Sequence, residues 1–260
     1  MILPQLDQSN VYLAIQPGAE GLSFSLTKPN KVNALNQSLP VFLCASDSGP
    51  KANGLRVLIS SSNGLCHSTP TVDIVDEHSM FFINTARASY VGSHGFAAVP
   101  NFPNGSSGPW HGIFDRDSNV GIGDILDGSS NTMLATERSY QTPNLGCAHG
   151  GAIWAGTSLF HSSACATDLG PYSVVTSVAV NMNAPVSCNS CAPNSVVPNL
   201  AFWASSLHPA GANFVMADGS VRFISESIHS YVGYPSSDPS KWGVYQKLGA
   251  INDRQIVGNF

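Results

Sequence analysis

Charge is what this chain has least of: Asp, Glu, Lys and Arg make up 10% of its 260 residues, with a formal net charge of −5 and a pI near 5.8. A nucleic-acid partner calls for Lys and Arg clustered along one face, and 11 scattered basic residues give no such footprint, so nucleic-acid binding is excluded. Long apolar runs are missing too. Nothing approaches the roughly 20 residues that cross a bilayer, and Met1-Ile2-Leu3-Pro4 lacks the length and basic flank of a signal peptide. There is no His-Glu-x-x-His, no Gly-x-Ser-x-Gly and no phosphate loop, which removes the readiest routes to metalloprotease, serine-hydrolase and nucleotide chemistry. Gly (24) and Pro (17) are plentiful, as are Ser and Asn, which suits a β- and loop-rich exported protein better than a helical cytosolic enzyme. The length allows one domain with a substantial core.

The most informative stretch runs from Ser206 to Ile224, where Asp218-Gly219 separates two strand-like segments. A two-residue Asp-Gly loop favours a type I′ hairpin turn. Closing it there pairs Met216 with Val221 and Phe214 with Phe223, so the alternation of side chains predicts one core face of Phe214, Met216, Val221 and Phe223. His208 and Asp218 then lie near opposite ends of the hairpin, since the intervening strand rises roughly 3.3 Å per residue. This favours a histidine that orders the entry loop and an aspartate chosen for its turn over an acid/base pair.

His208, nine intervening residues and Asp218-Gly219 resemble the motif of the prepilin-type processing-associated H-X(9)-DG family, a domain-of-unknown-function family abundant in planctomycete bacteria. Leu207 to Phe214 and Ala217 to Ile224 are similar to its C-terminal signature nearly residue by residue. A second block, Gly112 to Arg138, resembles another family signature and carries Asp124, Asp127, Gly128, Asn131, Glu137 and Arg138 as motif residues of structural character. Val41 to Asp47 is similar to the family's Phe-Leu-Cys-Pro-Ser-Asp segment, with Ala45 in place of proline, and Ala88 to Gly92 to an Asn-Tyr-x-Gly stretch. The resemblance implies an N-terminally truncated sequence, lacking a prepilin leader, a long apolar helix and a Cys-containing segment. It also implies a complete C-terminus, because Tyr245 to Ala250 and Gln255 to Phe260 are similar to the family's closing segment.

Six cysteines occur, Cys44, Cys66, Cys147, Cys165, Cys188 and Cys191. Cys188 to Cys191 is a single CxxC, and a structural zinc site would need a second pair or suitably spaced histidines. The exported character implied by the resemblance favours disulfides among the six, with connectivity open. If, as the resemblance allows, Cys44 pairs in full-length members with the cysteine of the missing N-terminal segment, the truncation leaves it free here.

Taken in order, residues 5 to 16 predict a short helix with Leu6, Val11, Leu13 and Ile15 as apolar contacts and Pro17-Gly18 as its stop. Residues 17 to 40 read as loop with one strand near Leu22 to Leu26. Val41 to Asp47 reads as a strand ending in a turn, and Arg56 to Ile59 and Phe81 to Ile83 as further strands. Gly123 to Gly128 predicts one helical turn capped by Gly128, and Asn131 to Glu137 a strand.

Asp115, Asp117 and Asn119 have the opening spacing of a calcium loop, but Val120 and Leu126 stand where an EF-hand needs Gly and Glu, which leaves calcium a weak candidate beside a solvated acidic turn. Glu137-Arg138 is expected to form a buried or edge ion pair rather than a catalytic carboxylate with its clamp. A hydrolase using His208 or Glu137 is the weakest reading, because no nucleophile, paired base or metal constellation is expected to accompany either residue.

The expectation is therefore a predominantly β α+β protein, one globular head over 1–260 with a variable Cys-containing lobe at about 141–200. The resemblance implies a non-enzymatic, exported, pseudopilin-like structural subunit of a type II secretion- or type IV pilus-like assembly. Its partners would be other pilin-like subunits or the secretion machinery, and its membrane contact the missing N-terminal helix. No cofactor is expected. The alternative is a cell-surface or periplasmic module that stacks glycans on Trp110, Trp154, Trp203 or Trp242.

Overall fold

The computed structural model describes residues 2–19, 28–60, 81–96, 109–115, 118–141, 151–156, 174–184, 203–231, 238–258 and 260. The N-terminal lobe begins with a 3-10 turn, Leu3–Leu6, and helix α1, Ser9–Ile15, which Gln16 ends in the left-handed conformation. Val11 and Ile15, one helical turn apart, are buried with Leu3, whereas Leu13 on the opposite face is exposed rather than an apolar contact. Within the expected loop 17–40 a second helix appears, α2, Pro29–Leu35, because Pro29 sits at a helix start, where its missing N–H is no loss. The strand expected near Leu22 to Leu26 lies outside the described residues.

Val41 to Asp47 is not a strand. Pro40–Phe42 forms a 3-10 turn, and the chain turns again at Cys44, where the Asp47 N–H donates to the Cys44 carbonyl. Strands β1, Ala52–Ser60, and β2, Phe81–Ala88, pair antiparallel, and β5, Ala152–Ile153, adds to β2. α1 and α2 pack their apolar faces with Leu39, Ile153 and Ala155 into one core cluster.

The second sheet has five strands in the order β6-β3-β4-β7-β8, formed by Val175–Ser177, Tyr90–Gly95, Met133–Glu137, Gly211–Met216 and Val221–Ser225 respectively. β3 runs antiparallel to β4 and parallel to β6. With its few short helices the chain is α+β with β prominent. A third helix, α3, Val244–Gly249, packs Tyr245 and Leu248 onto the sheet's buried face, where the Phe214 and Tyr245 rings meet edge-on at 6.2 Å. Each fully buried side chain of this size contributes about 1.5–3 kcal/mol.

The hairpin forms at Asp218-Gly219, but its register is one residue away from the expected one. Val215 pairs with Val221, Phe214 with Arg222, Asn213 with Phe223 and Ala212 with Ile224. The loop has three residues, Ala217–Gly219, with Gly219 at φ 84° and its N–H donating to the Met216 carbonyl, a turn followed by a left-handed bulge residue. A one-residue slip turns the second strand over. Phe214 and Met216 remain core, but their companions are Ala212 and Ile224, while Val221 and Phe223 are 64% and 53% exposed.

Candidate functional site

The 3-10 turn that follows α2 delivers Cys44, the end of β4 delivers Glu137, and the loop entering β7 delivers His208. Cys44 is separated from Glu137 by 93 positions and from His208 by 164, yet the three ligand atoms lie within 4.8 Å of one another. Glu137 Oε1 is 3.2 Å from His208 Nε2, and Cys44 Sγ is 3.9 Å from each of these two atoms. Ser46 Oγ stands 3.0 Å from Cys44 Sγ and 3.5 Å from His208 Nε2. The cavity here, lined by Cys44, Ser46, Glu137, Ser205 and Ser206 among others, measures about 10 Å³. That is room for one water molecule or ion, against the hundreds of Å³ of an organic ligand's pocket.

Each member is held from behind. Glu137 Oε2 accepts from the Asn213 backbone N–H at 2.9 Å and Oε1 from the Asn213 side-chain amide at 3.1 Å, which fixes the carboxylate against β7. The His208 N–H donates to Ser206 Oγ. The Glu137 side chain is 6% exposed and that of His208 33%, so the group opens to solvent on the histidine side. Tyr90 lies opposite Glu137 in the β3–β4 register, and burial, then the charges of Cys44 and Glu137, raises its phenol above the usual value.

The turn that carries Cys44 rests on a buried ion pair between Asp47 and Arg87 of β2. Asp47 Oδ2 also accepts from Ser89 Oγ and the Tyr140 N–H, and Arg87 donates to the carbonyls of Asp47, Gly49 and Pro50. A buried guanidinium with this many acceptors leaves little freedom to the turn above it.

The expectation that His208 and Glu137 stand without companions is overturned, because chain closure brings Cys44 to both. The expected Glu137–Arg138 ion pair is replaced by a division of labour: neighbours on a strand face opposite ways, and Arg138 donates to the Val175 and Trp203 carbonyls. Arg138 is fully buried, which lowers its pKa.

The other motif residues bind backbone. Asp218 Oδ1 accepts from the Ser220 N–H and hydroxyl, Asp124 from the Gly121 N–H, and Asp127 from the N–H groups of Asp253 and Arg254. Gly128 takes φ 93°, and Asn131 donates to the Asp127 carbonyl. Asp115 turns inward between His111 Nδ1 at 3.3 Å and His94 Nδ1 at 4.0 Å, Asn119 is exposed, and Asp117 lies outside the described residues. Cys44 is a free thiol, and Cys66, Cys147, Cys165, Cys188 and Cys191 lie outside the described residues, as does most of the 141–200 lobe.

A family model described as a protein of unknown function (DUF1559) matches residues 1–230. No curated protein and no solved structure matches the chain.

Proposed function

The chain belongs to the DUF1559 family, and from that premise we propose that it is an exported, non-enzymatic, pseudopilin-like subunit whose globular head serves in a type II secretion- or type IV pilus-like assembly. The observation that carries this reading is the use made of the signature residues. Asp124, Asp127, Arg138 and Asp218 are all engaged with backbone groups that close turns or join strands. The cavity beside Cys44 and Glu137 is too small for an organic substrate. The His208-x9-Asp218-Gly219 spacing, similar to the H-X(9)-DG motif, supports the prepilin-type assignment.

Glycan binding takes second place, because Trp203 and Trp242 are buried and Trp110 and Trp154 are partly covered, Trp154 by stacking on Phe42 at 6.0 Å.

The test is fractionation of the tagged, genomically encoded protein in its own host, with and without the prepilin peptidase. Peptidase-dependent shortening and recovery in the sheared surface or envelope fraction is the expected result. A product of one mobility in both backgrounds, confined to the cytoplasm, sinks the reading.

A further inference from the structure

We propose that Cys44, Glu137 and His208 form a mononuclear site for a zinc-class divalent cation, clamping the N-terminal turn to the five-stranded sheet. The distances carry it. A triangle with sides of 3.2, 3.9 and 3.9 Å has one central point about 2.05 Å from the nitrogen and oxygen and about 2.3 Å from the sulfur, which are the bond lengths of zinc to imidazole, carboxylate and thiolate. That point lies in the plane of the three donors, and drawing the sulfur in by about 0.3–0.4 Å gives the tetrahedral arrangement with room for a fourth ligand. A fourth position opens toward Ser46 Oγ, which stands 3.5 Å from His208 Nε2, and the adjoining cavity of about 10 Å³, lined by Cys44, Ser46 and Glu137, is of the size of one water molecule.

The same geometry argues against a Cys-His-Glu nucleophilic triad. In such a triad the base takes the nucleophile's proton on one imidazole nitrogen and is oriented by the acid through the other. Here the thiol and the carboxylate both meet Nε2. Convergence on one atom suits a shared cation and breaks a relay.

The ligand set points to the class of metal. A thiolate and an imidazole select zinc and its first-row neighbours over calcium or magnesium, whose sites are built from oxygens. The surroundings supply the outer support such sites need, since Asn213 holds both carboxylate oxygens from β7 and Asp47–Arg87 holds the turn under Cys44. The three ligands come from elements far apart in the chain, so the ion would act as a cross-link. The proposal does not depend on the pilin-like reading and survives its failure.

The experiment uses the full reduced chain, stripped with EDTA and then given stoichiometric zinc chloride. The alkylation rate of Cys44 is followed by mass spectrometry of its own peptide, which separates it from the five other cysteines. Zinc is expected to slow alkylation of Cys44 by about tenfold or more in the unmodified chain and by less than about twofold in His208→Gln and Glu137→Gln. Cobalt should give a thiolate-to-metal charge-transfer band that weakens in Cys44→Ser. Equal Cys44 alkylation with and without zinc in the folded, unmodified chain overturns the site whatever the variants do. Protection that persists undiminished in both folded variants overturns it equally.

Discussion

Among the described residues two histidine–carboxylate groups stand out, and they are built on opposite plans. At Asp115 the two carboxylate oxygens face different histidines, Oδ1 toward His94 and Oδ2 toward His111, and His94 Nδ1 is also 3.0 Å from the Phe114 carbonyl. The interactions spread outward and tie β3 to the segment after it. At Glu137 one oxygen, one imidazole nitrogen and one sulfur point at a common centre while the second oxygen is committed to Asn213. A divergent carboxylate is a strut; a convergent one leaves a place for something else. Residue types alone do not tell the two apart, and the atoms they use do.

The largest effect on this contrast should come from beneath the convergent group. Arg87→Met leaves the Asp47 carboxylate buried and unpaired, and is expected to destabilise by about 3–5 kcal/mol, read from the urea midpoint, while the Asp115 group is untouched. Glu137→Ala removes the acceptor of the part-buried Asn213 N–H and should remove about 1–3 kcal/mol. Asp115→Asn keeps an acceptor for its histidines and should have a smaller effect in the same titration.

Acidity sharpens the comparison. Burial lowers the His94 pKa from 6.5, so the fold excludes a proton that the unfolded chain binds, and stability falls as pH drops below about 6.5. Asp253 acts in the opposite sense: burial first, then the charge of nearby Asp127, pushes it up from 3.8 to about 6, so its contribution is lost as pH rises through about 6. Between pH 7.5 and 5 the two oppose each other. Asp253→Asn should therefore lose more Tm on acidification than the unmodified chain, and His94→Gln less, each by a few degrees at about 2–4 °C per kcal/mol. The smallest expected effect is His208→Gln in the EDTA-treated protein at neutral pH, within about 0.5 kcal/mol by thermal unfolding, because this histidine is one-third exposed.

Local chemistry made the hairpin and β4 readable, because Asp-Gly pairs and short β-rich runs act within a few residues, whereas Gly128 does not cap the expected helical turn: the 3-10 turn Ile122–Asp124 ends at Ile125, and Gly128 opens the next one, Ser129–Asn131. What was misread had a competing rule. Pro29 and Pro40 look like breakers but open a helix and a 3-10 turn, since Pro is favoured at the first helical position. The Asp218-Gly219 loop closes with two residues or three, and only packing decides. Ile224 enters the core, and Phe223 lies over Gly211, where a Cβ would sit 2.8 Å from its ring. The site was legible as parts and not as a whole. Cys44, Glu137 and His208 each fall in a stretch that resembled a family segment, yet separations of 93 and 164 residues leave no local pattern from which to assemble them.

The interval between His208 and Asp218 carries a parity. Sides alternate along β7, and the same strand must hold Phe214 and Met216 against α3 while the loop before it holds His208 on Glu137. One residue added within β7 would invert the facing of everything beyond it, so either the core pair turns to solvent or the histidine leaves its carboxylate. An addition in Pro209-Ala210 or in the Ala217–Gly219 loop carries no such penalty, so the constraint falls on Gly211–Met216 alone. The alternation within β7 thus phases the Glu137 site against the core, with Asn213 turned to the carboxylate and Phe214 and Met216 to the interior.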